Sequence, residues 1–409
     1  MTRSELPPPR AHLSLSTLEP TGFGSGFLSG LLSAVLGIGG LGGVLTLRFP
    51  GFLGAAELRP LYGLADVRPA IALALLASLL LGTISACLRV NKTLAVIGTG
   101  CTLLAALLGG SQVPAGAQVG HGSWLGVDFF VVNLVLYSAV FIPLERFFAL
   151  RPHQHVFRGE WVVDLTYFFV NALLIEVLTL LTLQPAAVLF SWARLAPVTG
   201  AVASLPLIVQ VLAILLIADF TQYWVHRAFH RVPALWRIHA IHHSAENMDW
   251  LAGSRLHLVD AVVTRGLTYV PIFVLGFPQT ALIPYVFIVA AQATFIHANV
   301  RWEFWPFRRF IATPAFHHWH HSAEREAVDR NFAVHTPLWD RLFGTYYLPD
   351  RWPVAYGLCG GRDVPSRWLT QLVYPFRRKQ SSSIKKSTGR DSDPTGTKRG
   401  HDEHDNHRN

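Results

Sequence analysis

Charge is what this chain has least of. Only 14% of its 409 residues are Asp, Glu, Lys or Arg, where an ordinary soluble domain carries about 25%. That is too little to clothe a water-facing surface, and it argues against the two or three soluble domains that the length alone would allow. Cysteine is nearly absent too. Cys87, Cys101 and Cys359 lie far apart and form no CxxC pair, which argues against a disulfide framework and a thiolate metal site. Cys87 and Cys101 fall in apolar runs, where a thiol acts as a small hydrophobe. No basic stripe interleaved with aromatics occurs, so the net charge of +9 does not mark a nucleic-acid partner. Much of it sits in the tail from Arg377 and in Arg-bearing segments beside hydrophobic runs, as on the cytoplasmic flanks of membrane proteins. No clear cleavable signal precedes the first apolar run, and no Rossmann, flavin or haem-type signature appears.

What is plentiful is apolar sequence, 51% of the chain, gathered in runs of roughly 18–25 residues, the length that spans a bilayer as a helix. These runs predict membrane helices near 23–47, 69–88, 94–110, 128–148, 162–190, 204–224, 261–277 and 280–298. The first is the weakest, because its eight glycines suit close packing better than a free-standing span. The run 162–190 carries Glu176, an acid within the membrane and a functional candidate on that ground. Residues 111–127 lack Lys and Arg, whereas Arg89, Lys92, Arg146, Arg151 and Arg158 flank the runs on the other side. That asymmetry puts everything from His226 onwards on the cytoplasmic face. The loop 48–68, with Arg48, Arg59 and Arg68, runs against the scheme. A break at Gly276 and Pro278 turns 261–298 into a hairpin that enters and leaves on one side. The expected fold is all-α, a polytopic transmembrane bundle with a cytosolic histidine-rich helical cap. Residues 1–150 supply membrane helices of no assigned role. The span 377–409 reads as a disordered polar tail, with His401, His404 and His407 solvated.

The histidines carry the chemistry. Twelve of 19 fall between 226 and 335, at the ends of the last predicted helices. His226 and His230 stand one helical turn apart and share a face. His239, His242 and His243 form an HxxHH group, and His317, His320 and His321 form a second. HAIHHSAE at 239–246 and HHWHHSAE at 317–324 agree at six of eight positions, which predicts a pseudo-symmetric pair of sites, one group serving each. So many imidazoles exceed one ion's needs. A structural zinc site would close with four ligands, usually including Cys, so two metals are expected. Asp219, Tyr223, His226 and His230 line one helical stripe, where Asp219 could accept a ring N–H from a ligand histidine.

These pieces together resemble the fatty acid hydroxylase/sterol desaturase superfamily: HRAFH (226–230), HAIHHSAE, SRLHLVD (254–260), HHWHHS (317–322) and NFAVHTPLWDRLFGTYYLP (331–349). The resemblance covers about 200 to 350 and implies a catalytic domain over 151–350. It implies a membrane enzyme whose cytosolic cap holds two non-haem iron ions on histidines and uses dioxygen and external electrons to hydroxylate or desaturate a lipid. Carried over by position, the ligands are His226, His230, His239, His242, His243, His317, His320 and His321, with His297 as the histidine after the membrane hairpin. Some members have a further histidine where this chain has Arg301, and His257, in an Arg-x-His element, is the candidate replacement. Tyr223, Asn331 and Asp340 join Asp219 as candidate hydrogen-bonding supports. The implied partners are a lipid drawn from the bilayer and a cytosolic or membrane-bound electron donor, and the implied location is a bacterial inner membrane.

Three rivals are weaker. A metal transporter tends to hold its ligands near the midplane on broken helices, not at helix ends. A zinc hydrolase needs a general-base carboxylate, as in HExxH, and none occurs. A non-catalytic scaffold has no use for three spaced histidine groups.

Overall fold

Long apolar stretches with few turn residues dictate helices, and the computed structural model is built of them. It describes residues 20–55, 63–116, 125–304, 306–361 and 364–377; the side chain of Glu176 and nearly all of the predicted tail lie outside the described residues. The described residues up to Pro375 form one compact unit. The main helices are α1 (Phe27–Arg48), α2 (Leu64–Leu88), α3 (Thr93–Leu107), α4 (Val127–Phe147), α5 (Trp161–Leu173), α6 (Ile175–Phe190), α7 (Leu207–Arg231), α8 (Pro233–His239), α9 (Leu258–Leu275), α10 (Gln279–His297), α11 (Pro314–His320) and α12 (Leu338–Leu342). Among the described residues there is no strand, only isolated bridges at Ala149–Val300 and Ser322–Tyr356. Among the described residues, seven helices (α1–α4, α7, α9 and α10) are long and apolar enough to cross a membrane. The predicted run 162–190 is broken instead, into α5 and α6 at an angle of 56°.

The glycine-rich first run is a full helix, and its glycines explain its place inside the bundle. A Cβ at Gly37 would stand 2.4 Å from the Gly98 carbonyl of α3, so only glycine lets the two backbones touch. Hydroxyls stitch the same junction: Ser33 donates to the Ser78 carbonyl of α2 at 2.7 Å and Thr102 donates to Ser78 Oγ at 2.9 Å. The anomalous loop 48–68 has a local reason as well. Arg68 donates to the carbonyls of Ser111 and Val113 and so caps the very segment that lacks basic residues.

The opposite end of the bundle carries the histidines. Arg89 and Arg146 tie the ends of α2 and α4 to the carbonyls of Pro20 and Thr21. Glu145, at the end of α4, accepts the backbone N–H groups of Trp250 and Asn299 at 2.7 and 2.9 Å. Trp250 in turn lies parallel to Phe141 and edge-on to Phe168. The hairpin forms as predicted: Gly276, at φ +73°, ends α9 in a left-handed turn that glycine favours, and Pro278 starts α10. His257 and His297 therefore finish at the same end.

Candidate metal centre

Each histidine is placed by a local device. Those of α7 lie one turn apart at the helix end. Pro233 opens α8, so that His239 falls in its last turn and a short 3-10 turn, His242–Ser244, follows. Thr313 caps α11 by accepting the Phe316 N–H, and Pro314 takes the first position. His320 then closes the helix with His321 just beyond it.

The rings gather into two groups. His226, His230, His239, His243 and His320 bring ring nitrogens within 4.8 Å of one another, and His242, His297, His317 and His321 do the same. This corrects the expectation of one HxxHH group per site, because the motifs cross. The i, i+4 pair of the first motif (His239, His243) joins the i+3 residue of the second (His320), while His317 and His321 join His242. Each motif therefore feeds both groups. The groups abut: the His243 and His321 rings stack at 4.4 Å.

The hydrogen bonds fix which nitrogen faces inward. His226 Nδ1 lies 2.7 Å from the Phe332 carbonyl, and His239 Nδ1 lies 2.6 Å from an Asp260 oxygen. Both acceptors require a proton on Nδ1, which leaves each neutral ring with a lone pair on Nε2. Those two Nε2 atoms face each other at 3.0 Å. In the second group, His242 Nδ1 donates to the Arg255 carbonyl and His297 Nδ1 to the Ala293 carbonyl, and their Nε2 atoms face each other at 3.3 Å. Facing lone pairs repel unless a cation lies between them. Nε2 of His230, His243 and His320 is buried with no partner, which buried polar atoms rarely tolerate. Burial and the neighbouring rings hold His242, His243, His320 and His321 well below the usual histidine pKa, so they stay neutral, as ligands must. The donor set therefore fits transition-metal ions, which suit imidazole, rather than magnesium or calcium, which take oxygen.

Residues 211–345 match the family model for fatty acid hydroxylases. They are a fatty acid hydroxylase domain. The match covers a third of the chain and is consistent with the fatty acid hydroxylase/sterol desaturase superfamily. It is 33% identical over 179 residues to an ornithine lipid hydroxylase of Rhizobium tropici, covering 44% of this chain and 54% of the relative. It is 31% identical over 140 residues to the human alkylglycerol monooxygenase, covering 34% of this chain and 31% of that protein. A putative methylsterol monooxygenase of Dictyostelium discoideum is 26% identical over 227 residues, 53% of this chain and 82% of the relative. The chain thus spans about half of the first relative's length and a third of the second's. No solved structure matches.

Within the hydroxylase domain several expected residues stand elsewhere. His257 joins neither group. It caps α9, its Nδ1 accepting the Val259 N–H and its Nε2 3.1 Å from the Leu372 carbonyl. Asp219 does not support a histidine: its oxygens accept the backbone N–H groups of Val334, His335 and Thr336, all at 2.9 Å. It acts one step back, fixing the strap whose Phe332 carbonyl holds His226. Asp340 clamps the same strap through the N–H groups of Phe332 and Ala333. Tyr223 contacts Thr345 Oγ1 at 3.0 Å, and Asn331, left-handed at φ +59°, bridges the carbonyls of Phe316 and Tyr347. His318 sits between Tyr356 Oη and the Ala298 carbonyl.

Two supports were not foreseen in the sequence. Asp260 holds His239, although SRLHLVD drew notice only for its histidine. Arg255 offers its carbonyl to His242 while its guanidinium pairs with Asp164 and Glu160, and Asp164 also binds Arg158, which reaches Asp249. The Arg255–Asp164 and Arg158–Asp249 pairs each join residues 91 apart, a spacing no local pattern reveals.

Proposed function

We propose that this chain is a membrane-bound, non-haem di-iron oxygenase that hydroxylates or desaturates a lipid, using dioxygen and electrons from a cytosolic or membrane-bound donor. The observation that carries the reading is the pair of abutting, buried imidazole groups at the inner ends of the membrane helices. The reported relatives, an ornithine lipid hydroxylase, an alkylglycerol monooxygenase and a putative methylsterol monooxygenase, support the same class.

The proposed ligands are His226, His230, His239, His243 and His320 for one iron and His242, His297, His317 and His321 for the other. Bound there, the irons would supply dioxygen activation and the oxidising power to break an unreactive C–H bond. The chain's own residues do the rest. Asp260, the carbonyls of Phe332, Arg255 and Ala293, and the Arg330 carbonyl 2.7 Å from His320 Nδ1 keep the ring protons outward, so that Nε2 presents a lone pair. Burial of the rings, with His321 at 1% exposure, excludes bulk water. The hairpin α9–α10 leads from the bilayer to the rings, a route for an acyl chain. The weight of Arg89, Arg146, Arg151 and Arg158 at the histidine end supports a cytoplasmic face for the site.

The test is elemental analysis and Mössbauer spectroscopy of detergent-purified protein, beside a His320→Ala/His321→Ala variant that removes one donor from each group. Two irons per chain in the parent, their loss in the variant, and oxidised lipid from the parent alone are expected. No metal under any loading would refute the reading.

A further inference from the structure

Behind the four-histidine group runs the turn 249–255, and four buried charges hold it. Asp249 opens the turn by accepting the N–H groups of Leu251 and Ala252. Arg158 grips the same carboxylate in a fork, through Nε at 2.6 Å and Nη2 at 2.8 Å. That Nη2 also donates to Asp164 at 2.6 Å, and the other Asp164 oxygen accepts the Nε–H of Arg255 at the far end of the turn. Arg255 and Asp164 are both 0% exposed. Arg255 donates further to Glu160 and to Ser244 Oγ. Both ends of the turn are thus tied to the segment that begins α5.

Two contacts pass from the turn to the site. The Arg255 carbonyl accepts the His242 Nδ1–H at 3.1 Å. Gly253 packs on the His297 ring, where a Cβ would stand 3.0 Å from Nδ1. Both rings belong to the four-histidine group. In the other group, His226, His239 and His320 are held from elsewhere, by the Phe332 carbonyl, Asp260 and the Arg330 carbonyl. Burying such ion pairs is a weak source of stability, because desolvation offsets the attraction. What forked, charge-assisted hydrogen bonds supply is fixed geometry, and the groups that orient ligand rings tune metal affinity. We propose that Arg255 is a positioning residue for the four-histidine group: with Asp164, Arg158 and Asp249 it holds the turn against His242 and His297, and so sets how tightly that group keeps its ion. The inference rests on the oxygenase reading and gives one of its two ions a support of its own.

The test dialyses the iron-loaded full chain in detergent against graded chelator and reads iron per chain, beside the unfolding temperature of the metal-free protein. Arg255→Gln keeps the carbonyl that meets His242 but loses the ion pairs. It should release one iron at a chelator concentration about 10–100-fold below the parent's, while the other iron follows the parent curve. Asp164→Asn keeps the shape and removes the charge, and decides the matter in the same way if the glutamine variant misfolds. Both irons leaving together, or a parental release curve with only the unfolding temperature lowered, overturns the proposal and leaves the network a purely structural one. A parent that never holds two irons defeats the oxygenase reading and this inference with it, an outcome distinct from a two-iron parent whose variants match it.

Discussion

Asp260→Asn is the substitution that best isolates how the metal centre is held. The Asp260 carboxylate is nearly fully buried and accepts hydrogen bonds from the His239 Nδ1–H at 2.6 Å and the Thr264 hydroxyl at 3.0 Å. Asparagine keeps the shape but removes the charge, so His239 becomes a weaker donor and a less fixed ring. Loss of such a support lowers metal affinity about 10–100-fold, which is about 1.4–2.7 kcal/mol. His239 belongs to the five-histidine group alone, so the loss should be confined to one ion. The assay is metal per chain after dialysis against graded chelator. The variant should release one equivalent at a chelator concentration about 10–100-fold below the parent's, while the second equivalent follows the parent curve. Release of both equivalents together, or a curve matching the parent's, would refute the argument that each group is a distinct site with its own supports.

Other outcomes follow from the same geometry. His257→Ala should leave metal content unchanged and cost about 1 kcal/mol as a lost helix cap, read as a lower unfolding temperature. Gly98→Ala drives a Cβ to within 2.6 Å of the Ser33 backbone and should destabilise by about 1–3 kcal/mol, whereas Gly100→Ala, with nothing within 4 Å, should lower the unfolding temperature not at all. Metal-free protein should be acid-sensitive, because His242, His243, His317, His320 and His321 have folded pKa values well below 6.5. The unfolded chain binds protons there and the folded one does not. Stability is therefore fully present above pH ~6.5 and falls below it, by up to about 1.4 kcal/mol per pH unit for each histidine, measured as unfolding temperature against pH.

The helices and the proposed ligands were legible because both are written in local periodicity: apolar runs of membrane length, and imidazoles one turn apart. The hairpin at Gly276 and Pro278 was legible for the same reason. The crossing of the two motifs was not, since it depends on how α8 and α11 face each other rather than on either repeat. Asp219 looked like a support for a ligand histidine because it lies on the same stripe as His226 and His230, but its partner is a backbone strap 115 to 117 residues away. The kink between α5 and α6 was hidden in an unbroken apolar run. Glycines misled in the other direction: in α1 they mark contact with neighbours, not weakness.

The crossing of the motifs also has a consequence in time. Synthesis runs from the N-terminus, at about 5–20 residues per second. The four-histidine group has only His242 until the chain passes His297, and neither group is complete before residues 320 and 321 emerge. All seven candidate spans end by His297. Among the described residues, every helix long enough to cross a membrane has therefore been made before either proposed site is complete, and no N-terminal fragment ending short of residue 320 carries a finished one.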